Sequence, residues 1–350
     1  MSTVAACAVL AGSAGACGFH MYAPEKTVID WLVEGDHVVV ARNAPGNPFA
    51  YVPVETLVDN GEPVSIGALV DSATRRRLAL NPEDGVLFVQ EPSTGRWERL
   101  AYLTPDYREL VETVLSRRAG WTGAYDPDRF ALFEGLQTHP SPAMRTLALR
   151  EIDQAPYEML RDIDLRIPVD DLLAGVRDPN GFALRPIRVL LLGLSDDPRA
   201  RSALRAAIDS MGRVDTGSFI LGAYATALIE IDGAAGIARL EDAVLNNPLL
   251  GIDTLEQVVS ALAIHGGSGS PDLQGEIQKT LVRLMDARPV AAAAIARQYF
   301  TREDWSQADI LEPVLRSGRL ADAAVVMPVA MYLAQARAVG GWSPDTSSDG

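Results

Sequence analysis

Between residues 26 and about 118 the chain alternates apolar and polar positions over short runs closed by turn formers. Thr27 to Val33 predicts a short helix. Asp36 to Arg42 is a β-branched run of strand length, closed by Asn43, Pro45, Gly46 and Asn47. Phe49 to Val58 alternates through Tyr51, Val52, Val54 and Leu57 and stops before Asn60-Gly61, a strong turn dipeptide. Val64 to Val70, Gly85 to Val89 and Arg96 to Leu103 read as three further strands. Ser72 to Leu80 switches to a helical period, with Ser72 as its N-cap, and Pro105 opens a helix through Arg118. Five short strands and a helix between the third and fourth predict a small β-barrel, closed or half-closed.

From Asp126 to about Gly340 the period changes to that of helices separated by Asp, Pro, Gly and Asn. Ser141–Ala155, Leu184–Leu194, Arg199–Met211, Phe219–Ile229, Ala234–Leu245, Thr254–Ile264, Leu273–Ala287 and Ala308–Leu315 all carry apolar residues at helical spacing. The segment predicts about twelve helices in about six pairs. A seam recurs: HPSPAMRTLALREI from His139 and SDDPRARSALRAAI from Ser195 share a proline, an arginine one turn on, then apolar positions. That seam resembles HEAT-type α-solenoid repeats, which implies stacked helix pairs folding as one unit. In the first half, a cysteine shortly before a helix, then EGDHVVVAR, FAYVPVETLVDNGEPVSI and GVLFV, resembles the netrin-like OB-type domains, including tissue inhibitors of metalloproteinases. The further cysteines that staple that barrel are absent. The expected fold is therefore multidomain α and β: a five-stranded OB-like β-barrel, then an all-α HEAT-like solenoid. Its parts are a signal peptide at 1–16, the β domain at 17–118, a linker at 119–125, helical repeats at 126–340 and a disordered tail at 341–350.

Composition narrows the function. The 350 residues carry 46 acidic against 31 basic side chains, a formal charge of −15, so general binding to nucleic acid or an anionic membrane is disfavoured. At 48% apolar and 22% charged the chain has globular values. Only Lys26 and Lys279 are lysines, a bias we assign to a GC-rich genome.

Val4 to Ala16 is small, apolar and uncharged, too short for a spanning helix, and reads as a secretory h-region with Ala14-Gly15-Ala16 as its cleavage site. No Lys or Arg precedes it, which leaves a cytoplasmic location as the alternative to a periplasmic or extracellular one. No transmembrane segment is expected. A lipid anchor at Cys17 is disfavoured, because Ala14 stands where a larger aliphatic residue is needed. Cleavage before Cys17 would gather an amine, a thiolate, the His20 imidazole and the Met21 thioether within five residues, a donor set for copper or zinc. The resemblance to metalloproteinase inhibitors implies a different use, in which the Cys17 amine and thiol chelate a target's zinc. The plain alternative is that this segment covers the barrel.

No catalytic constellation emerges. G-x-S-x-G is missing, His37 beside Asp36 has no local serine partner, and Gly266-Gly267-Ser268-Gly269 reads as an inter-repeat loop. Asp170-Asp171 and Asp196-Asp197 sit at helix starts, where the dipole accounts for them. Arg75-Arg76-Arg77 reads as a solvated helix face or a docking spot. Arg145, Arg150, Arg185, Arg188, Arg201 and Arg205 are candidates to pair with a protein partner's carboxylates, or to tie neighbouring repeats through the capping aspartates. The expectation is an exported, non-enzymatic binding or scaffold protein; the alternative is a periplasmic copper- or zinc-binding protein built on Cys17, His20 and Met21.

Overall fold

A computed structural model describes residues 26–121, 126–213, 220–320 and 322–340. They form sixteen α-helices and four strands, divided into two compact units, one reaching from Lys26 to Ala155 and one from Pro156 to Gly340.

The first unit is an open antiparallel sheet with helices around it. β1 (Val38–Ala44), β2 (Asn47–Val58), β3 (Gly85–Gln90) and β4 (Trp97–Leu103) lie in the order β2-β1-β3-β4. Strand residues point alternately to opposite faces, and here both faces are covered. Val38, Val40, Leu87 and Val89 pack with α1 (Val28–Glu34), α3 (Pro105–Arg117), α4 (Pro127–Glu134) and α5 (Pro142–Ile152) through Ile29, Val111, Phe133 and Leu147. Val39, Ala41, Val86 and Phe88 face Tyr51, Val70 and Leu78 on the other side, the last from α2 (Ser72–Leu80). Burial on both faces explains why β1 and β3 read as unbroken apolar runs rather than as alternating ones.

Three expectations differ from what is observed. Val64 to Val70 is not a strand: only Leu69 bridges, to Ala50, and the sheet is open with four strands. Pro63 lacks an N–H to donate and Gly67 weakens a strand, yet Val64 and Ile66 still cover the second face of the sheet. The N-cap of α2 is Asp71, not Ser72; its carboxylate accepts from the amides of Ala73 and Thr74. The expected joint at 119–125 lies before α4 and α5, which share a core with the sheet, and the observed division falls after Ala155.

The second unit is helical throughout its described residues: α6 (Tyr157–Arg161), α7 (Val169–Arg177), α8 (Arg185–Gly193), α9 (Pro198–Met211), α10 (Leu221–Asp232), α11 (Ala234–Leu240), α12 (Ile252–Ser268), α13 (Pro271–Ala287), α14 (Ala291–Thr301), α15 (Ala308–Arg316) and α16 (Ala323–Ala338). Prolines sit in the first turn of α8, α9 and α13, where a missing N–H costs nothing. α8, α10, α12, α14 and α16 pack each on the next in one layer, with α9, α11, α13 and α15 beside them. α10 is apolar all round and buried from Leu221 to Ile229, as a helix sandwiched in such an array must be. Gly193 makes one crossing possible: a Cβ there would lie 2.6 Å from Cα of Ala227, so α8 meets α10 backbone to backbone. Gly266 to Ser268 are the last turn of α12 rather than a loop, and Gly266 gives room to the Tyr299 hydroxyl.

Candidate functional site

The first unit holds a cleft of about 550 Å³ where β4 runs into α3 beside the start of α5. Pro105 and Pro142 place two helix N-termini on its wall, with Thr104 and Ser141 as the N-caps. Thr104 caps the Tyr107 amide, whereas the Ser141 hydroxyl caps nothing, so the first turn of α5 keeps its N–H groups unclaimed by that side chain. Arg77, from the last turn of α2, lies over the Tyr102 ring with its guanidinium carbon 3.5 Å from the ring centroid. Arg150 projects from α5 and forms no ion pair among the described residues. The remaining wall is largely apolar, from Val28, Ala101, Ala143 and Leu147, and no lining side chain is acidic.

Behind this wall a buried ion triad joins three helices. Arg129 of α4 donates through Nη2 to Asp30 Oδ1 at 2.6 Å and through Nε to Glu151 Oε2 at 2.8 Å. Arg129 and Glu151 are almost wholly buried. Asp30 also accepts from the Thr27 amide at 2.8 Å, closing the capping box of α1, and from the Gln154 side chain at 3.1 Å. Burial pushes Glu151 up to about 7 against the pull of Arg129. For Asp30 the order reverses in effect: burial is the largest single influence, yet Arg129 and the hydrogen bonds together leave it below the ordinary carboxylate value. Tyr107 stands between triad and cleft; burial and the Glu151 charge push its hydroxyl up, and Arg150 draws it down. The triad is locked into structure, so its chemistry is cohesion rather than proton transfer to a ligand.

In the second unit a polar cluster fastens α6 to α10 and α12. Tyr157 donates to Glu230 at 3.0 Å, Arg161 donates to Glu230 at 3.1 Å and to the Ser268 carbonyl at 2.9 Å, and His265 Nε2 donates to the Thr226 carbonyl at 3.0 Å. Burial holds His265 below its ordinary value, which keeps it neutral, and burial followed by the Glu230 charge raises Tyr157. A groove of about 930 Å³ beside Gly212 carries Asp209, Arg213, Arg239 and Asp242, a mixed-sign wall that selects no ligand class.

The six candidate arginines do not converge. Arg145 and Arg150 belong to the first unit, the other four to the second. Arg145 donates to the carbonyls of His139 and Pro140. Arg185 lies over the Phe182 ring, and Arg188 donates to the carbonyls of Gly175 and Gly181. Arg201 and Arg205 both pair with Asp232, whose side chain is only 4% exposed. The aspartate tie between helices thus engages two of the six, and Arg150 alone stands over a cleft. Arg75 and Arg77 are not a plain solvated face, since they cover Phe49 and Tyr102. Sequence reasoning missed Tyr102, Tyr107 and Ser141; the available signal was the pair of prolines at 105 and 142, each marking a helix start. Cys17, His20 and Met21 lie outside the described residues, and among the described ones no three His, Cys, Asp or Glu side chains gather as a metal site. No helix there is long and apolar enough to cross a membrane.

No protein-family model, curated protein or solved structure matches this chain.

Proposed function

We propose that the protein is a non-catalytic binding scaffold whose HEAT-like helical array receives an amphipathic helix of a protein partner on the outer face of α16. One observation carries this reading: α16, the last described helix of the array, exposes an apolar stripe opposite its packed side, with its polar residues Gln335 and Arg337 at the C-terminal end. Its inner side packs Val329, Tyr332, Leu333 and Ala336, while Met327 and Met331 are 61% and 55% exposed among the exposed Ala323, Ala324, Ala330, Ala334 and Ala338. Terminal repeats ordinarily present a polar outer face, and among the described residues the stripe through Met327, Met331, Ala334 and Ala338 is apolar. Every earlier helix of the layer, from α8 to α14, is covered by its successor, so the face of α16 continues an interface already built for a helix. The alanines let a helix backbone approach closely and the two methionines adapt to its side chains.

The binding reading does not depend on the netrin-like resemblance of the first half. Export belongs to the same proposal and is checked by the intact mass of the natively expressed chain, which drops to begin at Cys17 if the first segment is removed. The decisive experiment places a photo-crosslinking benzophenone amino acid at position 334 in the natively expressed full chain. A crosslink to one defined partner, mapped to an apolar helical stripe and abolished by Met327→Asp with Met331→Asp at unchanged melting temperature, supports the reading. The absence of any crosslink, or a crosslinked species of twice the chain mass, overturns it.

A further inference from the structure

We propose that the cleft between β4, α3 and α5 binds a small organic anion carrying a carboxylate or phosphate head on an apolar or aromatic body. Four observations converge on it. Two arginines reach the same cleft from elements far apart in sequence, Arg77 at the end of α2 and Arg150 on α5. The Tyr102 ring 3.5 Å from the Arg77 guanidinium carbon restrains that side chain, so less freedom is lost on binding than from a mobile one. Ser141 opens α5 with a hydroxyl that caps no amide of its own helix, leaving that hydroxyl and the Ala143 and Met144 N–H groups for an oxyanion at the positive end of an eleven-residue helix. No acidic side chain lines the cleft of a chain whose net charge is −15, so the positive wall is local and against the trend of the molecule.

The shape adds the rest. A cleft of about 550 Å³ accommodates far more than an inorganic ion and falls in the ordinary size range of small-molecule sites. Val28, Ala101 and Leu147 offer apolar surface, and Tyr107 an aromatic one, beside the charged end. An anion with no body would leave that surface wet, and a body with no charge would leave two arginines unanswered. Because Arg150 also acts on the Tyr107 hydroxyl, the head group sits beside the wall that shields the buried triad.

Calorimetry on the full chain tests this with three probes that share one ring system: 1-naphthyl phosphate, 1-naphthoate and neutral 1-naphthalenemethanol. Saturable binding of either anion, with the alcohol at least tenfold weaker, is the expected result, and the tighter anion identifies the head. Arg150→Glu and Arg77→Glu each weaken the anion at least tenfold, Thr146→Trp fills the cleft and abolishes binding, and Arg96→Glu, outside the cleft, changes nothing. Arg77, Thr146 and Arg150 are exposed, so the melting temperature stays as in the parent and loss of fold is separable from loss of site. No saturable binding of either anion, equal binding of the alcohol, or full affinity in Arg150→Glu overturns the proposal. The α16 reading survives any of these results, since the two sites share no residue.

Discussion

Replacing Arg129 by methionine leaves the triad as two carboxylates facing each other with no cation between them. Methionine keeps most of the volume, so the change is mainly electrostatic. Removing one partner of a buried charge pair costs about 3–5 kcal/mol, because the other charge remains desolvated. The cost depends on pH in a direction the structure fixes. In the parent, Glu151 sits at about 7 in the fold against an ordinary 4.5, so the folded chain holds a proton that the unfolded chain releases between those values. Parent stability from this group therefore falls, by about 1.4 kcal/mol per pH unit at most, as pH rises from 4.5 to 7 and is level above. Asp30 is shifted the other way, and its contribution is lost only in acid, as pH falls below its ordinary value of 3.8. Without Arg129 both carboxylates move up, so the variant suffers most at pH 8 and much less at pH 5, where Glu151 is neutral in both proteins. Hydrogen exchange over β1 and β3, corrected for intrinsic rates, reads the stability of this unit without mixing in the helical one. The double variant Arg129→Met with Glu151→Gln is expected to be more stable at pH 8 than Arg129→Met alone, since it removes the uncompensated charge. An equal loss at pH 5 and pH 8, or a double variant weaker than the single, would refute the reasoning and make Arg129 a packing residue.

Four shorter predictions concern the helical unit. Reversing both Arg201 and Arg205 to Glu strands the buried Asp232 between like charges, and differential scanning calorimetry should show a lower melting temperature; an unchanged melt would return these arginines to a docking role. Arg239→Lys keeps the charge but loses the two-point contact with Asp209, at 2.8 and 2.7 Å, so a smaller drop is expected in the same assay, shrinking further in high salt. Gly193→Ala forces a methyl against the Ala227 backbone and should cost about 1–3 kcal/mol in urea titrations; Gly275→Ala, on the open side of α13, should instead stabilise by about 0.4–1 kcal/mol.

What the sequence displayed was local, and what it concealed was assembled across distance. β1 and β3 are legible because Val38–Val40 and Val86–Val89 are continuous apolar runs of strand length, and α9 and α13 because one face is apolar and the other charged. Val64–Val70 carries the composition of a strand but has no partner beyond a single bridge, which propensity cannot foresee. α14 and α16 give no clear 3.6-residue period, since alanine fills both faces of the first and apolar residues both faces of the second. The cleft draws on positions 77, 102, 107, 141 and 150, so no motif could have announced it.

The scarcity of lysine acquires a structural meaning once the rungs of the helical array are in view. Arg199 reaches back to Asp170, Arg239 to Asp209, Arg283 to Glu241 and Arg297 to Glu256, each joining a helix to one laid down about one helix pair earlier. The pairs at 239, 283 and 297 are two-pronged, with Nε and Nη2 on the same carboxylate. A planar fork fixes the relative rotation of two helices as well as their spacing, which a single ammonium point cannot do. Each exposed pair contributes little stability by itself. Repetition along the array lets them set register, so that the apolar layer from α8 to α16 stacks in one way rather than several. An array registered in this manner resists sliding of one helix over the next, which is what the binding face proposed on α16 requires.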